Sequence, residues 1–295
     1  MDKRPPKFLQ FVGRVFRDFF MRNHGLLLTS AVAYNMMLSL IPLSAVFIVI
    51  LSNFFSQDLL METITTEVSL IAPGFTPILT EVLTGFLKTR QLIGWLGLGS
   101  LLLFSSLAFR VMEDAMAIIF HRPIPALKRK FWVSALMPYL FILIISGGLI
   151  AITTMNALID ALEFKNQMIF GFEVTFYEHL NKIFYITGVL GLFLLFSLFY
   201  KLMPTVRVSF RRALAGGFTA TILWEIVRHL LVSYYSTVSM VNFLYGSMAT
   251  IIIVLLTMES VALILLIGAQ VISNLQRASE AGISWYEDPD QPIKS

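Results

Sequence analysis

The chain contains no cysteine, so it can build neither a disulfide framework nor a thiolate metal site, and it offers no thiol nucleophile. Charge is also scarce: Asp, Glu, Lys and Arg make up 14% of 295 residues, well under the roughly one quarter usual in soluble domains. Histidine occurs only four times. No glycine-rich phosphate loop ending in Gly-Lys-Ser/Thr is present, so this chain does not hydrolyse ATP. Apolar sequence fills the space: 57% of residues are hydrophobic, and they fall into runs long enough to cross a bilayer. The connections between runs are too short for a separate soluble domain. These features describe one integral membrane domain.

Six spans are expected, at about 26–52, 91–109, 131–155, 182–203, 213–235 and 246–272, giving an all-α membrane domain over residues 26–275. Residues 1–25 interleave Lys3, Arg4, Lys7, Arg14, Arg17 and Arg22 with Phe8, Val12, Val15, Phe16, Phe19 and Phe20 at helical period. That pattern predicts an amphipathic helix lying on an anionic leaflet, and its apolar runs are too short for a signal-peptide core. Residues 53–90, broken at Pro73-Gly74 and Pro77, predict short amphipathic helices in the first outer loop. Residues 276–295, with Asp288-Pro289-Asp290, predict a flexible polar tail rather than a metal site. No cofactor is implied.

Lysine and arginine distribute unevenly over the connections. Seventeen of the 22 fall on the side of the two termini, four on the opposite side, and Arg228 inside a span. Excess positive charge marks the cytoplasmic face, so both termini are expected there. The net charge of +4 therefore reflects topology, and no nucleic-acid partner is implied.

Ionisable residues inside spans are the candidates for function, because each costs about 2.5–3.5 kcal/mol in hydrocarbon and must face protein or water. Glu225 precedes Arg228 by three residues and His229 by four, placing all three on one helical stripe. Glu259, in the sixth span, falls at a similar depth when both helices are measured at about 1.5 Å per residue, and is expected to meet Arg228. In the first span Tyr34 and Asn35 precede Pro42, which should kink the helix and free a carbonyl. At the end of the second span Arg110, Glu113 and Asp114 form a charge cluster at the cytoplasmic end, with Arg110 and Asp114 spaced for an ion pair. The same buried charges also suit a structural role, since satisfying them is compulsory in either case. Small residues at Ala213 with Gly217, and at Gly216 with Ala220, predict close helix packing.

Three passages together resemble the YihY/BrkB family of bacterial inner-membrane proteins. They are AVAYNMMLSLIPL (31–43), FRVMEDAMAIIF (109–120), and GGFTATILWEIVRHLLVSYY (216–235) taken with YGSMAT (245–250) and Ile267-Gly268-Ala269. Two positions depart from the family pattern: Thr257 stands where a tryptophan is expected, and Gln270 where an acid is usual. The resemblance implies a six-helix, multi-pass protein of the bacterial cytoplasmic membrane, with transport or export of lipid-linked or envelope material as the suspected role. It also brings an old label, ribonuclease BN. The residues argue against nuclease chemistry, because His24, His121, His179 and His229 are scattered along the chain rather than clustered with carboxylates.

Two functions follow as expectations. The first is a transporter or exporter whose midplane polar cavity is lined by Glu225, Arg228, Glu259, Asn35, Tyr34 and His229. The alternative is a non-transporting scaffold or envelope-assembly factor in which those charges only fix helix register. An enzymatic role is not expected, since Ser233 and His229 lack an orienting acid and an oxyanion hole. The expected partners are anionic membrane lipids of the inner leaflet and a substrate whose identity the sequence leaves open. Assembly as a homo-oligomer is left open as well.

Overall fold

The computed structural model describes residues 6–54, 61, 84, 90–121, 168–169, 172–173, 176–204, 206–238 and 247–289. Helix dominates. α1 covers Lys7–Arg17 and leads through a π-helical turn, Asp18–Arg22, into α2, Gly25–Phe54. α3 is Arg90–Ile119, α4 Phe176–Leu202, α5 Phe210–Val238 and α6 Ser247–Glu280. Met168–Ile169 and Phe172–Glu173 pair as a minimal antiparallel ribbon, β1 with β2. These helices cover the stretches read as the first, second, fourth, fifth and sixth spans, and α2 passes unbroken through Pro42. The span expected at 131–155 and the helices expected within 53–90 lie outside the described residues, save Asn53, Phe54, Met61, Thr84 and Arg90.

Length suits the bilayer. α6, with 34 residues, extends about 51 Å at 1.5 Å per residue, more than the hydrocarbon thickness requires. Among the described residues, Val254–Glu280 is the one stretch both long and apolar enough to cross by itself, while Gly25–Ser39 and Ile186–Leu202 are shorter apolar stretches. Large apolar side chains stand exposed at every fourth position: Ile186, Leu190, Leu194 and Leu198 on α4, and Phe218, Ile222, Ile226 and Leu230 on α5. A stripe at that spacing occupies one side of a helix. It is the side a lipid tail can cover without cost.

Contacts divide the chain into two compact units. The first comprises Met1–Phe19, Met116–Trp224 and Ile267–Ser295; the second comprises Phe20–Ala115 and Glu225–Leu266. In the first unit the ends of α3, α4 and α6 come together with the start of α5. Ser273 of α6 donates to the Ile119 carbonyl of α3 at 2.8 Å. Close backbone approach holds the others: a Cβ on Gly217 of α5 would meet the Ser197 backbone of α4 at 2.9 and 3.0 Å, and a Cβ on Gly268 of α6 would run into the Tyr200 ring. Ala213, Gly216, Gly217 and Ala220 are all buried, so the small-residue faces are the packing faces. Tyr200 is fully buried among them.

The helix ends are shaped by left-handed residues. His121, at φ 54°, closes α3, and its ring Nδ1 donates to the Ile119 carbonyl at 2.9 Å. Gly282, at φ 68°, closes α6 with Gly282 N–H to Ser279 O at 3.3 Å and Ile283 N–H to Ala278 O at 3.1 Å. That pair of bonds is a Schellman motif, which reverses the chain after the helix. Here the structure departs from the expected flexible tail over 276–295. α6 continues to Glu280, and the residues after the reversal dock on α1. The tail's acid and aromatic groups find cations there, which a local reading of polarity does not reveal.

Candidate functional site

Within the second unit, α5 carries Glu225 and Arg228 as an ion pair, Arg228 Nη2 to Glu225 Oε2 at 2.9 Å, one helical turn apart. Their side chains retain 23% exposure for Glu225 and 42% for Arg228. His229, also exposed, follows Glu225 by one turn. The charges sit beside Ile222 and Ile226, which are exposed too, so polar and apolar surface meet on this part of α5.

Glu259 of α6 finds a partner on another helix. Ser30 Oγ of α2 donates to Glu259 Oε1 at 2.9 Å. This bond joins positions 229 residues apart and gives the carboxylate of α6 a fixed neighbour across the helix interface. A hydrogen bond to a charged acceptor is worth about 1.5–3 kcal/mol, enough to hold the rotamer. Sequence reasoning had directed Glu259 toward Arg228. The partner found is a serine, whose signal is only that it lies one turn before Tyr34 on the same face.

Three other polar side chains of α2 bond back to their own helix. Asn35 Nδ2 donates to the Ala31 carbonyl at 2.8 Å, Thr29 Oγ1 to Gly25 O at 2.8 Å, and Ser39 Oγ to Met36 O at 2.7 Å. Such back-bonding is how short polar side chains satisfy themselves in an apolar setting. Ser30, by contrast, reaches another helix. Tyr34 is 60% exposed. Pro42 lies where only the helical backbone is described. On α3, Arg110 and Asp114 are exposed and Glu113 is half-buried.

A second polar cluster, in the first unit, was not anticipated. Asp18, Asn274 and Gln270 are all buried. Asn274 Nδ2 donates to Asp18 Oδ2 at 3.2 Å, and Gln270 Nε2 donates to Asn274 Oδ1 at 2.8 Å. Arg17 donates to Asp18 Oδ1 at 2.9 Å and to Asp288 Oδ2 at 2.6 Å. Arg14, also buried, donates from Nη2 to the Trp285 carbonyl at 3.0 Å. Burial pulls the Arg14 guanidinium below its ordinary range, with Asp288 and Asp18 opposing. Hydrogen bonds from Asp288 and then Asp18 hold Arg17 above its own. Both remain charged at any physiological pH.

A family profile described as virulence factor BrkB matches residues 16–290. The chain belongs to the BrkB family. Its relatives include a UPF0761 membrane protein of Pseudoalteromonas translucida, 26% identical over 92% of this chain and 86% of the relative. A UPF0761 membrane protein of Haemophilus influenzae is 22% identical over 92% of this chain and 97% of its own length, and one of Psychromonas ingrahamii is 27% identical over 83% and 80%. No solved structure matches. The BrkB match runs through α2, α5 and α6, so Glu225, Arg228 and Glu259 all lie within it. This BrkB protein is accordingly a membrane protein, helical over most of its described residues.

Proposed function

We propose that the chain is a transporter or exporter of the bacterial cytoplasmic membrane, acting on lipid-linked or envelope material. In this reading it has six spans with both termini cytoplasmic, and Glu225, Arg228, Glu259 and His229 line the pathway with Tyr34 and Asn35 in its wall. One observation carries the proposal: Glu259, a carboxylate in a long apolar helix, is held by Ser30 of a different helix. An ionisable group in hydrocarbon is costly and persists where it faces protein or water. Arg228, adjacent to exposed isoleucines, offers a cation beside apolar surface, the pairing an anionic amphiphile requires. Contact between α1 and residues 285–288 supports the topology, since ends that touch outside a membrane require an even number of crossings. The convergence of the ends of α3, α4 and α6 with the start of α5 supports alternating directions.

The test is Glu259→Gln, which removes the charge and keeps the shape. Loss of transport at unchanged abundance is expected, and loss of both together contradicts a transport role for Glu259. The second reading, a scaffold, is favoured by one feature, the self-contained Glu225–Arg228 pair. A scaffold accepts Glu225→Leu with Arg228→Met and retains its cellular role, because apolar residues of similar volume replace a paired charge with little loss. A transporter does not.

A further inference from the structure

α1 has two faces that the chain uses differently. Phe11, Arg14 and Val15 are buried, followed by Asp18 in the π-helical turn. Phe8, Leu9 and Phe16 are 67%, 56% and 44% exposed. At 100° per residue these three, with Val12 between them, form one contiguous flank. Lys7 and Arg17 are exposed at its borders, and Lys3 and Arg4 precede it in the sequence. An apolar flank edged by cations has the chemistry of a helix lying in the headgroup layer.

What covers the other face is the chain's own C-terminal segment. After the Gly282 reversal, Tyr286 lies under the Lys7 ammonium at 5.1 Å and Trp285 meets the Phe11 ring edge-on at 5.4 Å. The Trp285 carbonyl accepts from Arg14, and Asp288 accepts from Arg17. Positions 7, 11, 14 and 17 recur at one-turn intervals, so the segment follows a single stripe for three turns of α1. Arg14 adds commitment to that grip. Its Nε and Nη1 are buried without a hydrogen-bond partner and its guanidinium lies 5.2 Å from the Phe11 ring, so its hydrogen bonding rests on Nη2, which reaches the Trp285 carbonyl at 3.0 Å and the Asn274 carbonyl at 3.5 Å.

We infer that the flank of Phe8, Leu9 and Phe16 beds into the headgroup layer of an anionic membrane surface, and that Trp285–Asp288 hold that flank outward by gripping the opposite stripe. The partner is a lipid surface, because the exposed aromatic and leucine side chains supply insertion and the bordering cations supply attraction to anionic headgroups. The arrangement holds whether or not the chain transports anything.

Full-length protein permits a direct test, since it contains no native cysteine to compete with a label. Nitroxides are placed singly at Leu9→Cys, on the flank, and at Ala281→Cys, exposed just past the end of α6 and off α1 altogether. The proteins are set in nanodiscs of phosphatidylcholine alone or mixed with phosphatidylglycerol, and collision with oxygen is compared with collision with a water-soluble nickel chelate. The Leu9 label should favour oxygen several-fold and the Ala281 label the chelate, with the contrast widening when phosphatidylglycerol is present. Asp288→Asn should shrink the contrast, and so should Trp285→Ala, which removes the ring contact but keeps the carbonyl. Equal chelate access at both labels in both lipids overturns the docking. A contrast unchanged by both variants overturns the grip.

Discussion

Asp18 and Glu225 are both carboxylates paired with an arginine nearby in sequence at 2.9 Å, yet the molecule treats them differently. The Asp18 side chain is 2% exposed and accepts a second hydrogen bond, from Asn274, on a helix 256 residues away in sequence. The Glu225 side chain keeps 23% exposure, and its arginine keeps 42%. Distance alone does not separate them; surroundings do. A buried carboxylate with several donors fixes the geometry of everything that touches it. A carboxylate pair left partly open on an apolar helix contributes less to folding and stays accessible to a ligand. The first unit therefore uses its polar groups for architecture, and the second leaves a charged pair partly open.

The widest contrast comes from removing each acid. Asp18→Ala strands the Asn274 amide and deprives Arg17 of one of its two acids, so about 3 kcal/mol of stability is expected to go. A drop in the thermal midpoint in detergent of many degrees would register it, whereas Glu225→Gln should move that midpoint by no more than the scatter. Next in size is the packing of the first unit. Gly268→Val places a branched side chain against the buried Tyr200 ring and should cost about 1–3 kcal/mol, read by the same melt. A comparable substitution at Gly99 meets open space and should be silent.

Smaller still is the chain reversal. Gly282→Ala introduces a Cβ at φ 68° without any steric neighbour, so the cost is backbone strain of about 1 kcal/mol. Faster proteolysis after Gly282 with an unchanged global midpoint is the expected result. The smallest effect concerns pH. Arg17 has a raised folded-state pKa, so its contribution is fully present below the guanidinium range and is lost only on going above it. Stability from this group should stay flat from mildly acidic to mildly alkaline solution, and a melt series across that range checks it.

Long apolar runs made the helices legible, because crossing hydrocarbon demands both length and internal hydrogen bonding. α2, α4, α5 and α6 lie over the expected stretches, and the small-residue face of α5 is buried as its spacing implied. The Glu225–Arg228 pair was legible for the same local reason, a separation of one turn. Partners remote in sequence were not. Ser30 gives no sign of reaching Glu259, and Asn274 gives none of reaching Asp18, since a short polar side chain in a helix most often bonds its own backbone, as Asn35 does. Residues 283–288 carry charge and flank Pro289, which locally reads as a solvated tail; the cations of α1 and the Phe11 ring give them partners that their own sequence does not announce.

The transport reading turns on Glu259, and native mass spectrometry of protein extracted gently from its own membrane, wild type beside Glu259→Gln, addresses it most directly. The account predicts a lipid or glycolipid retained by the wild type and lost from the variant at equal folded abundance. Identical spectra from the two proteins, with no ligand held by either, would contradict it.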